Sequence, residues 1–346
     1  MSLRVTTNGS LHIYKSNLMR SRNTLNSATE KVLTNRNFNS YAEDPAAASQ
    51  AFQLRRSMWR TTAQITNNNS VINKFNTAWE AIDDVVNDLG DDLANVSALR
   101  GLTDSTASGR QSLGQTLLST ADAVVKTMNT TYGDNFVFAG ADGLNVPFTW
   151  GDDGTLQYRG VSVDAESTAD GYGSLAAMAG ETTYVDIGLG LEEADDGSLI
   201  ESSAFNSALS GLTYLGYGVD EDGDPKNIVS IMKQLGTILS NCDSDTGDFA
   251  STKAEEDANR LTDKLQTALS DLSVQQTKLD SQATFLNSNV TRLESTKDTL
   301  NEQLTGIEDM DSADAITSMA WAQYCYNAAL QVGTSVLSQS LLDYMD

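Results

Sequence analysis

The sequence predicts a mainly α fold: a long antiparallel helical bundle made from paired N- and C-terminal segments, with a small β-containing domain inserted between them. Three observations predict it. Apolar residues recur every seven positions near both ends of the chain. Prolines occur only at 45, 147 and 225, so long stretches carry no obligatory helix breaker. The middle changes character, being rich in Gly, Asp, Ser and Thr between short apolar runs.

The first repeat near the N-terminus is Leu11, Leu18, Leu25 and Val32, with Tyr14 and Ala28 on the same line. A second, longer one runs Met58, Ile65, Ile72, Trp79, Val86 and Leu93. A companion row of Leu54, Phe75, Ile82, Leu89 and Val96 is interrupted by Thr61 and Asn68, polar positions that weaken packing but can fix register. The C-terminal third is stricter: Leu265, Leu272, Leu279, Leu286, Leu293, Leu300 and Ile307 are all seven apart. No Pro or Gly falls between Ala250 and Thr305, so a single helix of roughly 80 Å is expected there. A lone helix with one apolar seam needs a partner, and segment 46–98 is the expected one. The bundle core is therefore assigned to Ile65, Ile72, Trp79 and Val86 against Leu265, Leu272, Leu279, Leu286 and Leu293.

A third helix is expected over 104–131, capped by Asp104 or Ser105 and ended by Gly133. Thr155–Val163 and Thr182–Ile187 read as strands, and Asn227–Leu239 as a helix. The expected division is into terminal helical assembly segments, 1–45 and 309–346, disordered when free; a helical bundle domain, 46–135 and 250–308; and an inserted β-containing outer domain, 136–249. The terminal segments are marginal helices in isolation. Leu11, Leu18, Leu25, Ile316, Leu330, Leu337 and Leu341 are the residues expected to pack when subunits assemble.

Lys and Arg total 22 against 47 Asp and Glu, a formal charge of −25. Such a chain is expected to avoid nucleic acid, which requires clustered cations. No apolar run has membrane-spanning length, and no apolar segment with a following cleavage site stands at the N-terminus. The chain is accordingly expected in the cytoplasm or exported by a route that uses no cleaved signal. His12 is the single histidine, so no His-based triad can be built. Asp243, Asp245 and Gly247 begin a calcium-loop pattern, but Ala254 stands where its bidentate carboxylate belongs. The run Asp220–Asp224 reads as a turn. Cys242 and Cys325 form no metal or redox pattern; two free thiols are the reading, with one disulfide the alternative. No catalytic, cofactor-binding or metal-binding residue is assigned, and no enzyme activity is expected.

Three segments resemble the flagellin superfamily. They are SYAEDPAAASQAFQLR from Ser40, DNFVFAGADGLNVPF from Asp134 followed by WGDDGTLQYRG from Trp150, and EDMDSADAITSMAWAQYCYNAALQVGTSVLSQSLLDYM from Glu308. The Asp44–Pro45 pair and the FAG…PF run are most similar to the superfamily's hook-filament junction branch. Filament flagellin, the main propeller subunit, is the alternative. The resemblance implies a structural subunit that is secreted through the flagellar export channel, without a cleaved signal peptide, and polymerises through its terminal helices. It also implies as partners other copies of the chain, a neighbouring hook-associated protein, flagellin and an export chaperone.

Overall fold

The computed structural model describes residues 7–342 except 195, 196, 198, 201 and 202; the side chains of 7, 8, 10 and 335–342 also lie outside the description. The N-terminal helices are α1 (Thr7–Thr34) and α2 (Pro45–Asp83). Asp44 caps α2, its Oδ1 accepting from the amides of Ala46 (3.1 Å) and Ala47 (2.9 Å), and Pro45 supplies a first residue that needs no donor. The helix runs on as a π-helical stretch, Asp84–Asn95, and then α3 (Val96–Thr103). Helix α4 (Ala107–Met128) follows. It begins after Asp104, whose carboxylate binds the Thr106 amide, and it ends at Asn129. Gly133, expected to end this helix, instead takes φ 60° between β1 (Thr131–Tyr132) and β2 (Asn135–Phe136).

The insertion consists of short antiparallel pairings. Strand β3 (Ala139–Gly140) pairs with β9 (Leu209–Ser210). Strands β4 (Phe148–Trp150), β5 (Leu156–Tyr158) and β6 (Val161–Ser162) form a three-stranded sheet, with Phe148 opposite Tyr158. Strand β7 (Tyr184–Val185) pairs with β8 (Phe205–Asn206). The segment 155–163, expected as one strand, is a hairpin. Arg159 (φ 50°) and Gly160 (φ 82°) are both left-handed, which is what a two-residue turn between twisted strands requires. Helices α5 (Asp170–Ala179), α6 (Gly211–Leu215) and α7 (Ile228–Ser240) complete the insertion. Asn227 caps α7 through the amides of Val229 and Ser230. Helix α8 (Thr252–Glu308) and α9 (Ser312–Leu342) close the chain.

The chain divides into two compact units: Ala63–Leu293, and the residues before and after it. This differs from the expected separation of the insertion from the bundle. Within Ala63–Leu293 one apolar core is shared. Phe75, Ile82 and Val85 of α2 and its π-helical extension are buried in the same cluster as Leu117 and Met128 of α4, Leu235 of α7 and Leu265 of α8. Phe138, Phe148 and Tyr158 of the insertion are buried there too, and the Tyr158 hydroxyl donates to the Phe138 carbonyl at 2.8 Å. Short strands with so little surface cannot form a core alone, so they pack onto the helices. Gly90 permits close contact at the π-helical stretch: a Cβ there would lie 2.5 Å from Leu269 of α8.

The acidic turn Asp220–Asp224 is fastened to α8. Lys264 Nζ lies 2.5 Å from Asp220, 2.6 Å from Asp224 and 3.2 Å from Asp222, and Arg260 Nε lies 2.6 Å from Asp224. These three carboxylates are close enough to hold a cation, but the ammonium already lies against all three. The Arg260 guanidinium, above all, holds the buried Asp224 carboxyl down to about 2; desolvation opposes this, and Lys264 adds to the lowering. Because the folded value lies below the ordinary value of about 3.9, the stabilisation is present above pH 4 and is lost as pH falls toward 2. Asp224→Asn is expected to cost about 2 kcal/mol at pH 6 and much less at pH 2. Urea midpoints of both proteins across that range check this.

Candidate assembly interface

Helices α1 and α9 lie side by side in the terminal unit. On α1 the half-shielded line is Leu11, Tyr14, Leu18, Ser21, Leu25, Ala28 and Val32, the spacing of one helix face. On α9 the shielded line is Ala315, Met319, Ala322, Tyr326, Ala329 and Gly333, alternating steps of four and three. Most of these are small, so the two backbones approach closely. At Gly333 an added Cβ would overlap the Tyr14 hydroxyl. Gly333→Leu is therefore expected to separate the helices. Amide hydrogen exchange on α1 and α9 should quicken at least tenfold, with amides of Ala63–Leu293 unchanged.

The segment after α1 is tied to the turn that joins α8 to α9. Asn35, at φ 54°, ends α1 and accepts the Met310 amide on its carbonyl at 3.1 Å. The Asn37 amide donates to the Glu308 carbonyl at 2.7 Å, and its side chain donates to the carbonyls of Ile307 (3.1 Å) and Asp309 (2.9 Å). The Glu308 carboxylate is nearly covered and lies 2.6 Å from Arg55 of α2. An Asn side chain fits this role because it carries donors for carbonyls left over at a helix end.

Of the residues expected to pack on assembly, Leu11, Leu18 and Leu25 lie on the shielded line of α1. Ile316 (55% exposed) and Leu330 (41%) do not lie on the line of α9 that faces α1. Both are expected to pack only when subunits assemble, and in the single chain they are turned away from α1. Ala315, Ala322, Ala329 and Gly333 share the inner line with Met319 and Tyr326, and Ile316 and Leu330 are turned outward. Trp321 (68% exposed) and Tyr324 share that outer surface, their rings stacked with centroids 5.7 Å apart. The side chains of Leu337 and Leu341 lie outside the described residues.

Within Ala63–Leu293, α2 runs antiparallel to α8. Asn68 meets Asn289 (3.0 Å), Asp83 meets Gln276 (2.9 Å), and Asn95 meets Gln266 (3.1 Å), so position advances on one strand of helix as it falls on the other. Leu265, Leu272, Leu279, Leu286 and Leu293 are all buried, as are Ile72 and Val86, while Ile65 is half-buried. Trp79 is corrected: it is 38% exposed, at the rim of a groove beside Phe75 and Leu279. At 3.6 residues per turn α2 presents Val71, Phe75, Ala78 and Ile82 inward, which rotates Trp79 to the edge.

Asn289 and the strap it holds escaped the sequence reading. Asn68 and Asn289, both buried, donate to the Ile187 carbonyl at 3.2 and 2.6 Å. Arg292 donates to the Gly188 carbonyl at 3.0 Å, and Asn67 to that of Asp186 at 3.0 Å. Residues 186–188 thus clasp both long helices through backbone groups. The signal available was Asn68 at a seam position, which requires a polar partner when buried.

His12 is exposed, as are Asp84, Asp91 and Asp92. Cys242 is buried, Cys325 exposed, and both are free thiols. Among the described residues no helix is long and apolar enough to cross a membrane.

Residues 262–345 match the family profile described as the bacterial flagellin C-terminal helical region, which spans most of α8 and all of α9. No curated protein sequence matches the chain. Among solved structures, a candidate flagellar hook-associated protein from Vibrio parahaemolyticus is similar at TM-score 0.57 and 14% identity, covering 77% of this chain and 100% of that one. The flagellar hook associated protein-3 from Legionella pneumophila aligns at 0.49 and 12% identity, over 74% and 98% of the two chains. The flagellar junction protein FlgL from the same organism aligns at 0.40 and 13%, over 79% and 100%. The profile match falls on the tail segment whose residues resemble the flagellin superfamily. Residues 262–345 are thus similar to the C-terminal helical region of the bacterial flagellins, and the chain shares its fold with a flagellar hook-associated protein.

Proposed function

We propose that this chain is a structural subunit of the bacterial flagellum that joins hook to filament by polymerising through its terminal helices. The observation that carries the reading is the outward apolar surface of α9, Ile316, Trp321, Tyr324 and Leu330, on a helix of flagellin C-terminal type. Within the subunit α1 shields only the line from Ala315 to Gly333, so Ile316, Trp321, Tyr324 and Leu330 are left to bury against neighbouring copies. Burial of apolar side chains is worth about 25 cal/mol per Å², enough over many repeated contacts to offset the ordering of two terminal helices. The negative charge of the chain opposes association by other surfaces. The proposed partners are other copies, an adjacent hook-associated protein, flagellin, and an export chaperone that would cover α9 before assembly. Its proposed location is outside the cell, after passage through the flagellar export channel. The role is structural rather than catalytic.

A second reading, the filament subunit itself, is favoured by the flagellin profile at 262–345. Deleting the gene separates the two. The junction role predicts complete hooks without filaments and flagellin released into the medium. Long homopolymers of the purified chain, with hooks still bearing filaments in the deletion strain, would assign it to the filament instead.

A further inference from the structure

Among the described residues, two buried side-chain oxygens lack any hydrogen-bond partner: Asp164 Oδ1 and Ser230 Oγ. Both line the same cavity of about 540 Å³. It lies between the β4–β5 turn, the segment after β6, the loop before α7, and α7 itself. Ser230 is only 7% exposed. Buried polar groups are nearly always satisfied, so two orphans facing one cavity mark a place built to receive polar groups.

The surrounding charges select the kind of group. Burial pushes the Asp164 carboxyl up, and the adjacent Ser230 hydroxyl and the Lys233 charge oppose this. Lys233 cannot serve as the partner where it stands. Its ammonium donates to the Gly154 carbonyl and lies 4.2 Å from the centre of the Trp150 ring. Asp257, also on the rim, is held by Arg260 at 2.8 Å. A cationic ligand would meet Lys233, and an anionic one would meet Asp164 and Asp257. An apolar ligand would leave both oxygens unsatisfied at a cost of about 1–3 kcal/mol each. A neutral molecule with adjacent hydroxyls fits all of these: one hydroxyl donates to Asp164 Oδ1, and its neighbour exchanges a hydrogen bond with Ser230 Oγ. Thr155, Gln234 and Thr237 offer further polar groups around the rim. The volume lies in the range of small-molecule sites, and a monosaccharide ring fits inside it.

We propose that this cavity, lined by Asp164 and Ser230, is a binding site for a neutral polyhydroxylated ligand of the saccharide class. It is independent of the assembly surface and of the reading given to that surface.

The test uses the full chain and three probes, D-glucose, D-galactose and N-acetyl-D-glucosamine, with sodium acetate and ethanolamine hydrochloride as charged comparators. Saturation-transfer NMR and calorimetry should show one of the sugars saturating a single site. Ser230→Ala and Asp164→Asn should each weaken that binding at least tenfold with unchanged circular dichroism, and Asp271→Asn, on an exposed face of α8, should leave it alone. The proposal is overturned if no sugar saturates up to about 50 mM. It is equally overturned if only a charged comparator binds, or if binding survives in both variants. Retained stability in Ser230→Ala together with no sugar binding would mean that water alone serves the two oxygens.

Discussion

Leu286→Asp unfolds the Ala63–Leu293 unit. Leu286 is fully buried on α8, in the core that α8 shares with α2. Removing a buried leucine side chain costs about 2–5 kcal/mol through lost burial and the cavity left behind. An unpaired carboxylate at the same position adds the cost of removing charge from water. The combined loss, about 4 kcal/mol or more, approaches the whole stability margin of an ordinary domain. For a unit of this size the melting temperature should fall by at least about 10 °C, with much of the far-UV helical signal lost at 37 °C. Asn287→Asp, one residue away on the exposed face, is the control and should change stability by less than about 0.5 kcal/mol. Equal melting temperatures for the two variants would remove Leu286 from the core.

Truncation before Asp311 abolishes assembly without unfolding the rest. It removes α9, and with it both the line from Ala315 to Gly333 that shields α1 and the bulky apolar surface turned outward. Helix α1 then loses its partner, and a single 28-residue helix with one half-apolar face is marginal in water. Its helical signal should disappear together with that of α9. The core around Phe75, Leu235 and Leu272 contains no residue of either helix and should melt as before. Sedimentation and electron microscopy should find monomers only, and a strain carrying the truncated chain should bear hooks without filaments. Polymers formed by the truncated chain would place the assembly surface elsewhere.

The long-helix pattern was legible in the sequence because one side of α8 repeats the same residue type. Leucine every seven positions, from Leu265 to Leu293, gives a single solution for the buried face, and all five are buried. Helix α2 was harder, since its buried face draws on two rows. Both contribute, Ile72 and Val86 from one and Phe75 and Ile82 from the other, and the polar Thr61 and Asn68 that break the second row are themselves buried, Asn68 matched by Asn289 and the Ile187 carbonyl. A pattern reading that counts only apolar residues misses such pairs. The π-helical stretch also resets the phase, leaving Leu93 and Val96 largely exposed. In α9 the reading followed large apolar residues, whereas four of the six residues on the line facing α1 are Ala or Gly, which matter only through their spacing. Arg159 shows a further limit: nothing in its side chain announces a left-handed backbone, and only the following glycine marks the turn.

The account stands on one physical relation, the antiparallel contact of α2 with α8. The most direct measurement is cross-linking of Asp83→Cys/Gln276→Cys, in a chain also carrying Cys242→Ser and Cys325→Ser, by a short bismaleimide at low protein concentration. Rapid and near-complete intramolecular linkage is expected, because the two side chains meet at 2.9 Å. A paired control, Asp83→Cys/Asn287→Cys, lies about three helical turns out of register and should link far more slowly. If both pairs linked equally slowly, or the control linked first, the two helices would not lie together as described.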